Sequence, residues 1–274
     1  MIIAIQGEKG SFHDQAARRF FVQQKFSIKP LPTFRSVFES LVNHEADFGI
    51  AAVENSLYGS IHETYDQLIK QDLVIIGEVQ LLVHQSLITQ PGVKLDDITE
   101  VLSHPAALDQ CRSWLEANLP HAQIIEHSDT AGAVAEIARG AELNRAAIAS
   151  SHAAKIYDMH TLRSNIEDEP GNITRFIVLS RSPEPSSKAN KASLILTTNH
   201  QPGALYLALK IFYEHQANLT KLESRQVRGE PYRYKFVAEC MADQKQLVSI
   251  IHQLQQQNCE VKLLGHYRAA ELTP

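Results

Sequence analysis

What most restricts the fold of this chain is a recurring order: an apolar run of strand length, a small polar residue, then a segment of helical pattern. Phe48–Val53 leads into Glu54-Asn55-Ser56, Glu100–Leu102 into Ser103-His104-Pro105, and Ala146–Ala149 into Ser150-Ser151. Ile2–Gln6 leads into Gly7-Glu8-Lys9-Gly10-Ser11, and Asp129 precedes a helical pattern over Thr130–Arg139. Ser, Thr, Asp and Asn are the preferred helix N-caps, so capping accounts for any single site of this kind. Together they say more. Strands alternating with helices predict an α/β architecture with a largely parallel sheet, whose strand C-terminal ends face one crevice. Helix N-termini around such a crevice aim N–H groups and positive dipole ends inward, which suits a small anion such as a carboxylate. Further strands are expected at Val74–Val83 and Phe176–Leu179 and a helix at Ser36–Val42, and Ser60-Ile61-His62-Glu63 has the form of a capping box.

The alternation stops at Ser180-Arg-Ser-Pro-Glu-Pro-Ser-Ser-Lys-Ala-Asn-Lys191, which has two prolines, four serines and no large apolar residue. Such a stretch reads as a linker, and it predicts a first segment over 1–180, a linker over 181–191 and a second segment over 192–270. In the second segment the expected order is strand (Ser193–Thr198), helix (Gly203–His215), strand, strand, helix, strand. Leu205, Ala208, Leu209 and Phe212 share one helix face, while Tyr232, Tyr234, Phe236, Ala238 and Cys240 alternate with Arg233, Lys235, Val237 and Glu239 as in a half-buried strand. This βαββαβ order is ferredoxin-like and holds no catalytic cluster.

With 274 residues, 44% of them hydrophobic, the chain has enough apolar material for two domains. A net charge of −5 gives no support for nucleic acid as a partner. No run approaches the ~18 apolar residues of a membrane span, and the N-terminus reads as a strand rather than a signal peptide. Cys111, Cys240 and Cys259 are odd in number and far apart, which speaks against a disulfide framework and for the cytoplasm. G-x-x-x-x-G-K-[ST], G-x-G-x-x-G, H-E-x-x-H and G-x-S-x-G are all absent, so phosphate-loop, dinucleotide, zinc-protease and hydrolase-elbow readings lose their support.

One short stretch raises a sharper question. Gly171-Asn-Ile-Thr-Arg-Phe176 contains an N-x-[ST] sequon, as does Asn218, and in a cytoplasmic chain both are accidental. Thr174, Arg175 and Phe176 open onto the apolar run Ile177-Val178-Leu179, so a hydroxyl, a guanidinium and an aromatic ring stand at the mouth of a core strand. They form either an ordinary loop entering a strand or part of an active site.

Several separated motifs, in order, resemble those of prephenate dehydratases: "GEKGSFHDQAA", "VENSLYGSIHETYD", "SHPAALDQC", "DTAGAVAEIA", "AAIASSHAAKIY" and "IEDEPGNITRFIVL". After the linker, "GALYLAL", "NLTKLESRQ" and "VKLLGHY" resemble the ACT regulatory domain that follows in that family. The resemblance covers nearly the whole chain, and Asn172–Phe176 with Glu54-Asn55-Ser56 is its specific part. Local departures exist. Glu8 stands where the family usually has Pro, Ser11 where it has Thr, Ala106 where Gln is commoner, and Gln226 where "ESRP" would have Pro.

The resemblance implies a two-lobed, periplasmic-binding-protein-like catalytic segment followed by the ACT domain. It implies conversion of prephenate to phenylpyruvate with loss of carbon dioxide and water, without metal or organic cofactor, in phenylalanine biosynthesis. Thr174 matches the family's essential threonine, and Arg175 would give a carboxylate a fixed two-donor partner unless it serves a surface ion pair. Phe176 walls the ring pocket or packs the core. Ser11, Asn55, Ser56 and Ser103 would donate to carboxylate oxygens, and Glu54 repels a dianion unless it is protonated or paired. The effector L-phenylalanine would lie between two copies of the chain, in a homodimer or dimer of dimers, against Gly203, Ala204, Leu205, Asn218, Glu223, Ser224 and Arg225. Arogenate, with an amine in place of the keto oxygen, is a second substrate to weigh. A non-enzymatic sensor of amino acids is the other reading, and the Thr174-Arg175-Phe176 motif argues against it because a sensor has no use for a hydroxyl donor there.

Overall fold

A computed structural model describes residues 1–140, 142–184, 186–226 and 234–271. It is a mixed α/β protein. In chain order the elements begin β1 (Ile2–Gln6), α1 (Phe12–Phe20), β2 (Ser27–Leu31), α2 (Phe34–Val42), β3 (Phe48–Asn55), β4 (Gly59–Ser60), α3 (His62–Lys70) and β5 (Val74–Leu82). Then come β6 (Ser86–Thr89), β7 (Glu100–Ser103), α4 (Pro105–Gln110), α5 (Arg112–Asn118), β8 (Gln123–Glu126), α6 (Thr130–Arg139), β9 (Arg145–Ala149) and α7 (Ser151–Ile156). The chain continues through β10 (His160–Ser164), β11 (Ile173–Ser180), β12 (Lys191–Thr197), α8 (Ala204–Glu214), β13 (Leu219–Gln226), β14 (Tyr234–Met241), α9 (Gln244–Gln256) and β15 (Glu260–Tyr267).

Two compact units result, one from Met1–Thr64 with Val79–Phe176, the other from Tyr65–Glu78 with Ile177–Glu271. One sheet runs β2-β1-β3-β11-β5, with β4 on β3, and β1 pairs in parallel with β2 and β3. A second sheet, wholly in the first unit, runs β10-β6-β9-β7-β8. It is parallel across β8, β7 and β9, but β6 and β10 run antiparallel, so it is more mixed than strand–helix alternation alone predicts. Leu87, Val101, Leu108, Leu115 and Ile148 pack on one side of this sheet, and Ile88, Leu102, Val134, Ile137 and Ala153 on the other.

The edge strands β2, β8 and β10 carry no clear apolar alternation. β2 contains Lys29 and Pro30, and β8 is largely exposed, as edge positions allow. Helix α2 begins two residues earlier than its apolar pattern because Thr33 and Ser36 cap it reciprocally. The capping box read at Ser60–Glu63 is a correction: Ser60 lies in β4 opposite Glu54, and α3 starts after Ile61. Strand pairing there outweighs the local capping signal.

In the second unit β13-β14-β12-β15 form an antiparallel sheet, with α8 and α9 supplying Ala208, Ile211, Phe212, Leu247, Ile250 and Leu254 to its core. Tyr232 and Arg233, expected in the β14 strand, lie outside the described residues. Buried within this unit, Lys191 Nζ lies 2.9 Å from Glu78 and 3.1 Å from Glu239, and Glu78 also accepts the Ala270 N–H at 2.9 Å. Among the described residues no helix is long and apolar enough to cross a membrane.

Candidate active site

The site grows from a strand that outruns its neighbour. β1 pairs with β3 only from Ile3 to Ile5, opposite Phe48–Ile50, yet β3 continues to Asn55. Beyond that point side chains serve Ala52, and the short β4 pairs with Glu54 and Asn55. The Ala52 N–H donates to His13 Nε2 (3.3 Å), and the Ala52 carbonyl accepts the Thr64 hydroxyl (2.7 Å). His13 is wedged between rings, 5.0 Å from Phe176 edge-on and 5.5 Å from Phe34. Burial drives its pKa down to about 3, so the ring is neutral and its Nε2 lone pair remains an acceptor.

The overhanging end of β3 meets the start of β11. Ser56 exchanges two bonds with Ile173: its N–H donates to the Ile173 carbonyl and its Oγ accepts the Ile173 N–H, both at 2.9 Å. Asn55 Nδ2 donates to Asn172 Oδ1 (2.7 Å) and to Thr174 Oγ1 (2.9 Å). Asn55 Oδ1 accepts the N–H groups of Leu57 (2.9 Å) and Tyr58 (3.1 Å). Arg175, almost fully buried, sends Nε (3.2 Å) and Nη2 (2.9 Å) to Glu54 Oε2. Phe176 is 1% exposed, so its ring packs against His13 in the core. The residues expected at 54, 55, 56, 174, 175 and 176 thus adjoin one another on two neighbouring strand ends.

Ser11 and Ser103 are placed differently. Ser11 caps α1, its hydroxyl accepting the Asp14 N–H. Ser103 is fully buried and donates its hydroxyl to the Ile148 carbonyl on β9 at 2.6 Å. The glycine loop before Ser11 joins the two sheets of this unit. Gly10, at φ 88°, gives its N–H to Asp14 (2.8 Å) and receives the Ser150 hydroxyl on its carbonyl (3.0 Å), and Ala153 leaves no room for a Cβ. Burial alone would raise the Asp14 pKa, but the nearby His152 ring (3.6 Å), the Gly10 N–H and the Arg18 guanidinium bring it below the usual carboxylate value. His13 and Asp14 were not singled out from the sequence, and Asn172 was given no role there beyond its motif. All three lie inside recognised motifs, but only the fold shows which motif residues are buried and paired.

The expected effector residues lie in the second unit. Gly203 takes φ 85° just before α8, and Ala204 and Leu205 line a hollow of about 160 Å³ with Tyr234 and Phe236. Ser224 and Arg225 line another, of about 470 Å³, with Asp66 and Lys235. Arg225 pairs with Asp66 and, at 3.7 Å, with Glu223, while the Asn218 carbonyl accepts the Met241 N–H at 2.9 Å. Among the described residues, Ala204 and Leu205 thus line a different hollow from Ser224 and Arg225.

Residues 3–184 match the family model described as prephenate dehydratase. A bifunctional chorismate mutase/prephenate dehydratase of Stutzerimonas stutzeri is 34% identical over 98% of this chain and 74% of its own length. The chain belongs to the prephenate dehydratase family. Family members are carbon–oxygen lyases, and so is this enzyme. An arogenate dehydratase/prephenate dehydratase of Arabidopsis thaliana is 37% identical over 84% of this chain and 60% of its own length. The solved prephenate dehydratase of Arthrobacter aurescens, in complex with L-Phe, superposes with a TM-score of 0.86 at 27% identity, over 98% of this chain and 90% of that one. A structure described as GqqA, a quorum-quenching acylase, gives 0.88 at 29% identity, over 98% of both chains.

Proposed function

We propose that this prephenate dehydratase family member converts prephenate to phenylpyruvate, using the strand ends of β3 and β11 as its active site. In that reaction the ring–carboxylate bond breaks and its electron pair enters the ring. The opposite C–O bond breaks, and the hydroxyl leaves as water after taking one proton. Thr174 carries the reading. Its oxygen already accepts from Asn55, and its own proton has no acceptor among the described residues, so it is left to donate to the departing hydroxyl. Arg175 provides the positive charge for a substrate carboxylate, and the Glu54 carboxylate, already paired with that guanidinium, does not face the dianion alone. Ser56 and Ser11 donate to carboxylate oxygens in this scheme. Ser103 has its proton committed to Ile148 and can offer only a lone pair.

In the same reading the chain has a catalytic segment of two α/β lobes over 1–180, a linker, and an ACT-type ferredoxin-like domain over 192–270. L-phenylalanine is its feedback inhibitor, as the phenylalanine complex of the Arthrobacter aurescens relative suggests. Ala204 and Leu205 line a different hollow of one chain from Ser224 and Arg225, which favours an effector site shared by two copies in a homodimer or dimer of dimers. The protein would work in the cytoplasm.

A second reading rests on the relatives named for arogenate, which differs from prephenate at a side-chain amine remote from the ring hydroxyl. Turnover of prephenate and arogenate measured side by side, with an N-acyl amide as a third arm, tests all of this. Release of phenylpyruvate from prephenate, suppressed by L-phenylalanine, is the expected result. Faster turnover of arogenate would transfer the assignment, and acyl-amide hydrolysis without either dehydration would overturn it.

A further inference from the structure

We infer that Asn55 is a positioning residue, which sets the direction of the Thr174 hydrogen bond, rather than a group that binds substrate. This rests on the reading of Thr174 given above. An asparagine amide has two N–H donors and one oxygen with two acceptor sites, and at Asn55 all four are used within the protein. The polarity is not a matter of choice. The Leu57 and Tyr58 backbone N–H groups can only donate, so the atom facing them must be the Asn55 oxygen. The other end of the amide is then a donor, and it faces Asn172 Oδ1 at 2.7 Å and Thr174 Oγ1 at 2.9 Å.

Asn172 bears the mark of this demand. Its Oδ1 is held by Asn55, and its own Nδ2, fully buried, has no acceptor among the described residues. An unsatisfied buried donor is costly, and turning the amide over would set two NH₂ groups face to face. The second bond reaches Thr174. Because the Thr174 oxygen accepts a hydrogen bond from the Asn55 amide N–H, the hydroxyl cannot donate back along that line, and its own hydrogen turns outward. Main-chain donors at the β3–β4 turn thus fix the amide, and the amide fixes the hydroxyl as a donor before any substrate arrives. A pre-oriented donor has no reorganisation to complete in the transition state.

Asn55→Asp reverses this polarity while keeping an oxygen for Leu57 and Tyr58, because a carboxylate only accepts. The Thr174 proton would then point back to residue 55. The expected result is a kcat loss close to that of Thr174→Ala, ~10²–10⁴-fold at saturating prephenate. The double variant Asn55→Asp/Thr174→Ala should be no slower than either single variant, since both remove the same function. Asn55→Ala, which adds no charge, should leave KM within a few-fold of the parent enzyme while lowering kcat, and its own cycle with Thr174→Ala should likewise be non-additive. Circular dichroism and thermal unfolding identify any variant that fails to fold, in which case the other cycle decides. A raised KM with kcat retained in Asn55→Ala, or losses that multiply in the double variants, overturns the inference. Near-normal turnover in Thr174→Ala would instead remove the catalytic assignment on which it rests.

Discussion

The two candidate sites differ in how much of each a single chain supplies. At the ends of β3 and β11, residues 54–56 and 172–175 are tied to one another by hydrogen bonds and an ion pair, with partners drawn from the same unit. In the second unit Ala204 and Leu205 line one hollow and Ser224 and Arg225 another, and Arg225 pairs with Asp66 and Glu223. In the proposed reading the first arrangement is complete in one chain, and the second needs another copy. If that contrast holds, activity per chain is independent of assembly, while the response to an effector is not.

The largest effect should come from Thr174→Ala, with kcat reduced ~10²–10⁴-fold, Thr174→Ser keeping much of the rate, and KM little changed in either. Steady-state kinetics at saturating prephenate measures this, and an alanine enzyme of normal speed would leave the first site without its donor. Arg175→Lys should follow, because an ammonium cannot reproduce two guanidinium donors on Glu54 and still meet a carboxylate. A loss of about 1.5–3 kcal/mol, roughly ten- to a hundredfold in kcat/KM, is expected for one charged hydrogen-bonding group. Unchanged kcat/KM would reduce Arg175 to a structural ion pair.

His13 sets a pH effect of known sign. The unfolded chain takes up a proton near pH 6.5, whereas the folded ring resists it until about 3, so the unfolded state binds more protons between these values. Stability present above pH 6.5 is therefore lost as pH falls, by at most about 1.4 kcal/mol per unit from this residue. The lowered Asp14 pKa adds its own loss only below the ordinary carboxylate value of 3.8. In the interval above that, the Asp129 pKa, raised by burial, works in the opposite sense, so His13 is isolated by comparing parent and variant. Urea unfolding of the parent and of His13→Asn across that interval should show the steeper fall in the parent, and parallel curves would mean that His13 titrates normally. The smallest effect is the effector's. L-phenylalanine should change substrate affinity several-fold, a coupling of ~1–3 kcal/mol. Calorimetric titration should show binding that weakens on dilution below the concentration at which copies associate. Binding by a monomer with undiminished affinity would erase the contrast between the two sites.

Much of the first site could be read in the chain because its residues come in two unbroken runs, Glu54–Ser56 and Asn172–Phe176, each at the end of an apolar strand. Strand termini and their motifs are local properties, and a sequence displays them. Partnership is not local. That Glu54 meets Arg175 across 121 positions, or that the Ser103 proton goes to Ile148, depends on strand order that no local pattern carries. The edge strands β2, β8 and β10 were illegible for a related reason, since a strand with one paired side tolerates lysine, proline and exposed residues that mask its period. At Ser60 the local signal was present and misleading, because pairing with Glu54 claimed the residue before the helix could.

The overhang of β3 beyond β1 has a bearing on how such an enzyme can change. Main-chain ladders are copied by almost any sequence, but here the strand end that carries Glu54 and Asn55 is steadied by a histidine ring and a threonine hydroxyl. Main-chain pairing with β4 and β11 holds its last residues, and these two side chains add a sequence-encoded support where β1 has ended. Substitutions at His13 and Thr64 would give selection, or a designer, a fine adjustment on the strand end proposed as the catalytic edge.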